Sequence, residues 1–204
     1  MTILMLLFIG SVYLINGMTL LGRIDAKSAA PLNLFIGAAL VLVTIHLALG
    51  MGVFSPDAPS VEIIGAVGAP LFAFTFLYVG INNYTGHDGA GLGWYCGWSA
   101  MVSAGLSIAF FTLFQDTASG LLWAVWAVVF TSFFLTMIVG LEHLTAATGR
   151  FVVLAGFTTC VIPSVMMMLG LWSPQAGIPV YVMELGTIAY YVFGAMRASR
   201  TSIA

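Results

Sequence analysis

Charge is nearly absent from this sequence. Of its 204 residues only 6% are charged, against 61% hydrophobic. That balance excludes an ordinary soluble domain and places the chain among polytopic membrane proteins. There is no basic tail and no charge run, so nucleic acid is excluded as a partner. Only two cysteines occur, Cys96 and Cys160. Both fall in apolar segments and read as small core residues, not as a disulfide or metal pair. The three histidines, His46, His87 and His143, have no metal-ligand spacing. HExxH, GxSxG and a glycine-rich phosphate loop are all missing, so the chain does not read as an enzyme, and no cofactor or metal is expected. The only lysine, Lys27, lies in the first connection, whereas a retinal-type seven-helix receptor needs one in its last helix.

What the sequence has is long apolar runs. A bilayer-crossing helix needs about 20 apolar residues. Seven segments qualify: 2–22, 32–53, 62–83, 93–114, 119–141, 151–171 and 178–196. They predict an all-α polytopic protein with a single transmembrane domain over residues 1–204. The connections are Arg23–Pro31, Phe54–Val61, Tyr84–Gly93, Gln115–Gly120, Glu142–Arg150 and Trp172–Gly177. The first segment has no charged leader and no small-residue cleavage pattern, and reads as a retained membrane helix. The five basic residues are Arg23, Lys27, Arg150, Arg197 and Arg200. They fall on one side if the N-terminus is outside and the C-terminus cytoplasmic, and this alternation requires seven spans. The expected location is a bacterial inner membrane. Asp57, Glu62 and Asp116 fall on the outer side.

A short pattern repeats at the inner ends of the first, third and fifth helices. It reads Ile15-Asn16-Gly17-Met18-Thr19, then Ile81-Asn82-Asn83-Tyr84-Thr85, then Leu141-Glu142-His143-Leu144-Thr145. Each copy is an aliphatic residue, a polar acceptor, two residues and a threonine, with glycine close behind. Polar helix ends with glycine caps also produce such a pattern. As a repeat, it predicts three two-helix hairpins around an axis, with a seventh helix added. Asn16, Asn82 and Glu142, with Thr85, would then stand at a similar depth and line a path for a polar solute, since facing lipid would be costly.

Aromatic residues supply the second signal. Phe72 and Phe76 are spaced i, i+4 in the third helix, and Phe130 and Phe134 likewise in the fifth. Trp123 and Trp126 begin the fifth helix, where indoles anchor at an interface. Facing one another, the two Phe pairs would form a flat apolar slot. Such a slot gives an ion nothing in exchange for its water, yet passes small planar neutral molecules. The same residues also suit an ordinary interhelical core. Ion-coupled transport would need buried ionisable groups, and His46, Glu142 and Glu184 are a thin set for that.

The chain resembles the AmiS/UreI family of urea and amide channels. The resemblance lies in Asn16-Gly17 and Gly22-Arg23-Ile24-Asp25-Ala26-Lys27-Ser28. It continues through Leu71 to Asn82, Trp94-Tyr95 and Gly149-Arg150-Phe151, covering residues 1 to about 170. It implies a proton-independent facilitator for urea or short-chain amides, built from three hairpins round a pore, in a homo-hexamer. It also implies that Phe72, Phe76, Phe130 and Phe134 form the constriction, with Trp123 near the mouth and Tyr13 facing from the first helix. Three departures are visible. An acid-activated family member has tryptophan at the fifth-helix positions, so phenylalanine here implies a looser slot. Its sixth-helix carboxylate corresponds to Ala155, and the seventh helix has no counterpart in it. The alternative reading is a membrane-embedded sensor that conducts nothing. A sensor would usually carry a soluble output segment, and only eight residues follow Met196.

Overall fold

The computed structural model describes residues 3–50 and 60–203, without the side chains of 60–67 and 202–203. Asp57 and most of the connection 54–61 therefore lie outside the described residues, as does the side chain of Glu62. All regular structure in the described residues is helical. The helices are α1 (Ile3–Leu20), α2 (Ala26–Gly50), α3 (Ser60–Thr85), α4 (Ala90–Thr112) and α5 (Thr117–Met137). A 3-10 turn (Glu142–Leu144) leads into α6 (Thr145–Ala155), which runs through a π-helical segment (Gly156–Val161) into α7 (Ile162–Met168). The last helix is α8 (Ile178–Ile203). Six stretches are long and apolar enough to cross a membrane: α1, α2, α4, α5, the continuous run Glu142–Met168, and α8. With α3, 26 residues long, they make a seven-helix bundle.

Several connections are shorter than the sequence predicts, the one expected at Tyr84–Gly93 shrinking to residues 86–89. α2 begins at Ala26, not after Pro31. The Asp25 carboxylate accepts the Ser28 N–H at 3.2 Å and starts the helix there. Pro31 sits so near this end that its missing N–H does little damage. The expected connection Glu142–Arg150 is likewise mostly helix, since α6 starts at Thr145. The third copy of the repeated pattern therefore lies on the turn into α6 and not at the end of α5.

The most extensive helix contacts are α2 with α3, α4 with α5, and α1 with α6. In each pair small residues let backbones approach. A Cβ on Gly37 of α2 would lie 2.9 Å from the Leu77 nitrogen of α3. One on Gly97 of α4 would lie 2.8 Å from the Phe134 ring of α5. Between α1 and α6 the seam has two such points. A Cβ on Gly17 would stand 2.7 Å from the Gly149 carbonyl, and one on Gly10 would stand 3.1 Å from that of Gly156. The two glycine pairs run in opposite order along the chain, so α1 and α6 are antiparallel.

The π-helical segment has a chemical cause. Pro163 has no N–H to continue an α-helical ladder, and its ring crowds the carbonyl four residues back. The chain widens one turn instead, and the Ile162 N–H bonds to the Phe157 carbonyl, five residues back. α8 packs on α6 and α5, and its far end is tied to the 3-10 turn by His143 Nε2 and Ser199 Oγ, 3.1 Å apart. This brings the ends of α1 and α8 and the start of α6 together. All five basic residues are exposed at that end of the bundle.

Candidate functional site

The core of the bundle is a cluster of rings from α1, α3 and α5. Phe72 is at its centre and is fully buried. Its ring lies 4.5 Å from Trp126, edge to face, and stacks on Phe130 at 5.5 Å. Tyr13 is 6.1 Å from Phe72 and 6.4 Å from Phe76, and Phe76 is 5.9 Å from Phe72. These separations are those of favourable aromatic pairs. Tyr13 reaches the cluster because α1 lies so close to α6 at Gly156, where a Cβ would stand 2.7 Å from that of Tyr13.

Beside the rings is a cavity of about 30 Å³. Tyr13, Asn16, Phe72, Phe76, Phe130 and Phe133 line it, with Leu92 and Cys96 of α4 and Val152 of α6 among the others. A single water needs about 10–15 Å³, so this is a constriction and not an open channel. A second cavity of about 180 Å³ adjoins it toward the basic end and shares Asn16, Val79, Leu92 and Phe133 with it. Its further walls include Thr19, Asn83 and Thr136. Together they form a funnel between α1, α3 and α5 whose wide end carries Thr19, Asn83 and Thr136 among apolar side chains and whose narrow end is aromatic.

Three polar side chains stand at the narrow end, Tyr13, Asn16 and Thr75, and the Thr75 hydroxyl donates to the Leu71 carbonyl at 2.7 Å. The buried Tyr13 hydroxyl has no hydrogen-bond partner in the protein. Asn16 is held by a reciprocal amide pair with Asn33 of α2. Asn33 Nδ2 donates to Asn16 Oδ1 at 2.7 Å, and Asn16 Nδ2 donates back at 3.0 Å. Asn33 also donates to the Ala29 carbonyl and is fully buried. The pair fixes the Asn16 amide and leaves one N–H and one lone pair of it for the cavity.

Of the residues singled out from the sequence, Tyr13, Asn16, Phe72, Phe76 and Phe130 line the constriction. The others stand elsewhere. Phe134 packs edge-on against Trp94 at 5.5 Å and covers Gly97, so it faces α4, and its neighbour Phe133 lines both cavities. Trp123 is buried against Trp126 at 5.0 Å. Asn82 donates to the Asp88 carbonyl at 3.3 Å, and Asn83 is the lining residue. Thr85 is exposed and bonds the Ile81 carbonyl and His87. Glu142 is exposed on the 3-10 turn. The sequence reading placed Trp126, like Trp123, as an interface anchor, whereas both indoles are buried, and it missed Asn33, Phe133 and Asn83. The place of Trp126 in the cluster was within reach, since it precedes Phe130 by four residues.

Comparison with known proteins agrees with this architecture. The family model of AmiS/UreI transporters matches residues 1–171. A candidate transporter protein named AmiS2 from Rhodococcus erythropolis is 37% identical over 81% of this chain and 78% of its own length. A candidate amidate-substrates transporter of Mycolicibacterium smegmatis is 36% identical over 91% of this chain and 86% of its own. The crystal structure of the urea channel of Helicobacter pylori superposes with a TM-score of 0.72 at 26% identity, covering 85% of this chain and all of that one.

Proposed function

Because this chain belongs to the AmiS/UreI transporter family, we propose that it is a passive channel for urea or short-chain aliphatic amides. Residues 1–204 form one transmembrane domain in this reading. The observation that carries it is the funnel between α1, α3 and α5, which narrows onto Tyr13, Phe72, Phe76 and Phe130. A neutral planar solute can lay its face along these rings, while its polar edge meets the Tyr13 hydroxyl and the Asn16 amide. An ion finds nothing there to replace its hydration shell. Selectivity is set by the rings, and polar residues of the wide end receive the solute.

The protein works without acid activation. It sits in a bacterial inner membrane as a homo-hexamer, with its N-terminus outside and its basic end in the cytoplasm, as the positive-inside rule directs. A reporter fused after Ala204 tests that orientation: activity only outside the cytoplasm would reverse it. Function is tested by stopped-flow swelling of proteoliposomes with urea, formamide, acetamide and propionamide. Rates above those of protein-free vesicles for the smaller solutes, falling with size, are expected. Rates equal to protein-free vesicles for all four would remove the channel reading.

A further inference from the structure

α8 lies beyond the residues that the family model matches, 1–171. Even so, it places a carboxyl in the interior. Glu184 is 3% exposed, and its Oε2 has no hydrogen-bond partner in the protein. It lines a cavity of about 80 Å³ at the end of the bundle opposite the basic residues, with Ser119, Thr159, Trp172 and Tyr181. Burying such an oxygen unpaired is costly, so the cavity favours an occupant that donates to it.

The chemistry of the walls restricts that occupant. No basic residue lies at this end, so an anion has no partner. Leu6, Leu122, Pro163 and Met167 make much of the remaining wall apolar, and a metal ion would find too few oxygens there. Trp172 and Tyr181, edge to face at 6.3 Å, offer ring surface to a flat molecule. The volume exceeds the roughly 10–15 Å³ that one water needs. What fits is a small neutral planar molecule with N–H groups. The cavity also adjoins the aromatic cluster. Trp126 packs its ring on Phe72 and donates its indole N–H to Thr159 Oγ1 at 3.1 Å, so one side chain borders both sites.

We propose that the Glu184 cavity is a binding site for a primary amide or urea, in which the carboxyl pairs with the solute's N–H edge before the solute reaches the aromatic constriction. This rests on the channel reading above and adds a site supplied by α8. The hydroxyl of Thr159 is already committed to the Ala155 carbonyl and to Trp126, which leaves the carboxyl as the unsatisfied group.

The experiment compares acetamide with N,N-dimethylformamide, which has no N–H, in proteoliposomes of the full chain. Glu184→Leu should lower acetamide flux about tenfold, the equivalent of one hydrogen bond to a charged or strongly polar group. It should leave dimethylformamide flux unchanged. Glu184→Gln should keep most of the acetamide flux, because a carboxamide oxygen still accepts. Equal acetamide flux in wild type and Glu184→Leu would overturn the site. So would an equal fall for both solutes, or a Gln variant as impaired as Leu. A second measurement needs no flux. Acetamide titrated into detergent-solubilised protein should change the Trp172 emission saturably, and Glu184→Leu should abolish the change. No saturable change in wild type would mean that the cavity holds water only, and would overturn the proposal. If wild type conducts no amide but shows the saturable change, the channel reading falls and the site stands.

Discussion

At the scale of single residues the constriction separates groups that pack from groups that face the cavity. The Tyr13 hydroxyl bonds to nothing in the protein. Tyr13→Phe should therefore leave stability nearly unchanged, yet lower urea and amide flux by about threefold to tenfold, the equivalent of one hydrogen bond of about 0.5–1.5 kcal/mol. Flux and thermal melting of the purified variant check this. Phe130 and Phe134 should behave differently although both are apolar rings one turn apart. Phe130→Ala removes a ring from the cavity wall and should raise propionamide flux relative to urea. Phe134→Ala leaves a void against Gly97 and Trp94, and should cost stability, less than the roughly 3–5 kcal/mol of a fully buried ring because Phe134 is half-buried, with little change in selectivity. The relative flux of the two solutes through each variant is the measurement. The i, i+4 spacing made Phe72, Phe76 and Phe130 legible in the sequence. The distinction between Phe134 and Phe133, or between Asn82 and Asn83, was not. Adjacent helical residues point about 100° apart, and α3 and α5 have no polar stripe to fix their rotation, because lipid and core are both apolar.

At the scale of elements the structure rests on glycine seams. Gly10 and Gly17 are seven residues apart on α1, and so are Gly149 of α6 and Gly156, which opens the π-helical segment. That matched spacing was readable, but nothing in the sequence said which helix would meet which. Gly17→Ala would place a Cβ 2.7 Å from the Gly149 carbonyl, a backbone atom that moves only with its helix. The substitution should cost about 1–3 kcal/mol, and should lower flux because Tyr13 is displaced with α1. Gly105→Ala meets nothing within 4 Å and serves as the control. Denaturant-free thermal unfolding of the two variants in detergent checks the difference. Helix ends followed the same division. The start of α8 at Ile178 agrees with the expected boundary. The start of α2 does not, because Asp25 caps the helix ahead of a proline that reads as a breaker.

At the scale of the whole molecule, titratable groups are sparse along the funnel. His46 is exposed on α2, His87 is exposed beside Thr85, and His143 is exposed on the 3-10 turn. None of the three lines either funnel cavity. Histidine is the side chain whose ordinary pKa, about 6.5, switches between neutral and mildly acid pH. Flux should therefore be equal at external pH 7.5 and pH 5 with the interior held fixed. A several-fold rise at pH 5 would contradict this, and one that survived His46→Ala would point to Glu184, the carboxyl lining the cavity at the opposite end. Fold class was legible at this scale from apolar length, and the ring cluster of α1, α3 and α5 from aromatic spacing, whereas the third copy of the repeated pattern lies on the turn into α6. The pairing of the helices was not, since α6 reaches α1 from the far end of the chain.

The abrupt narrowing of the funnel, from about 180 Å³ to about 30 Å³, also bears on energetics in time. On the channel reading, a solute in the wide end keeps its water. At the rings it would shed most of it, with Tyr13 and Asn16 the chief replacements. Bonds to water are lost before equivalents are regained, so the barrier is largely one of enthalpy. Flux through this protein should then fall steeply on cooling, more so than through a continuously wet pore. An Arrhenius plot for urea in proteoliposomes should show a slope that Phe130→Ala flattens.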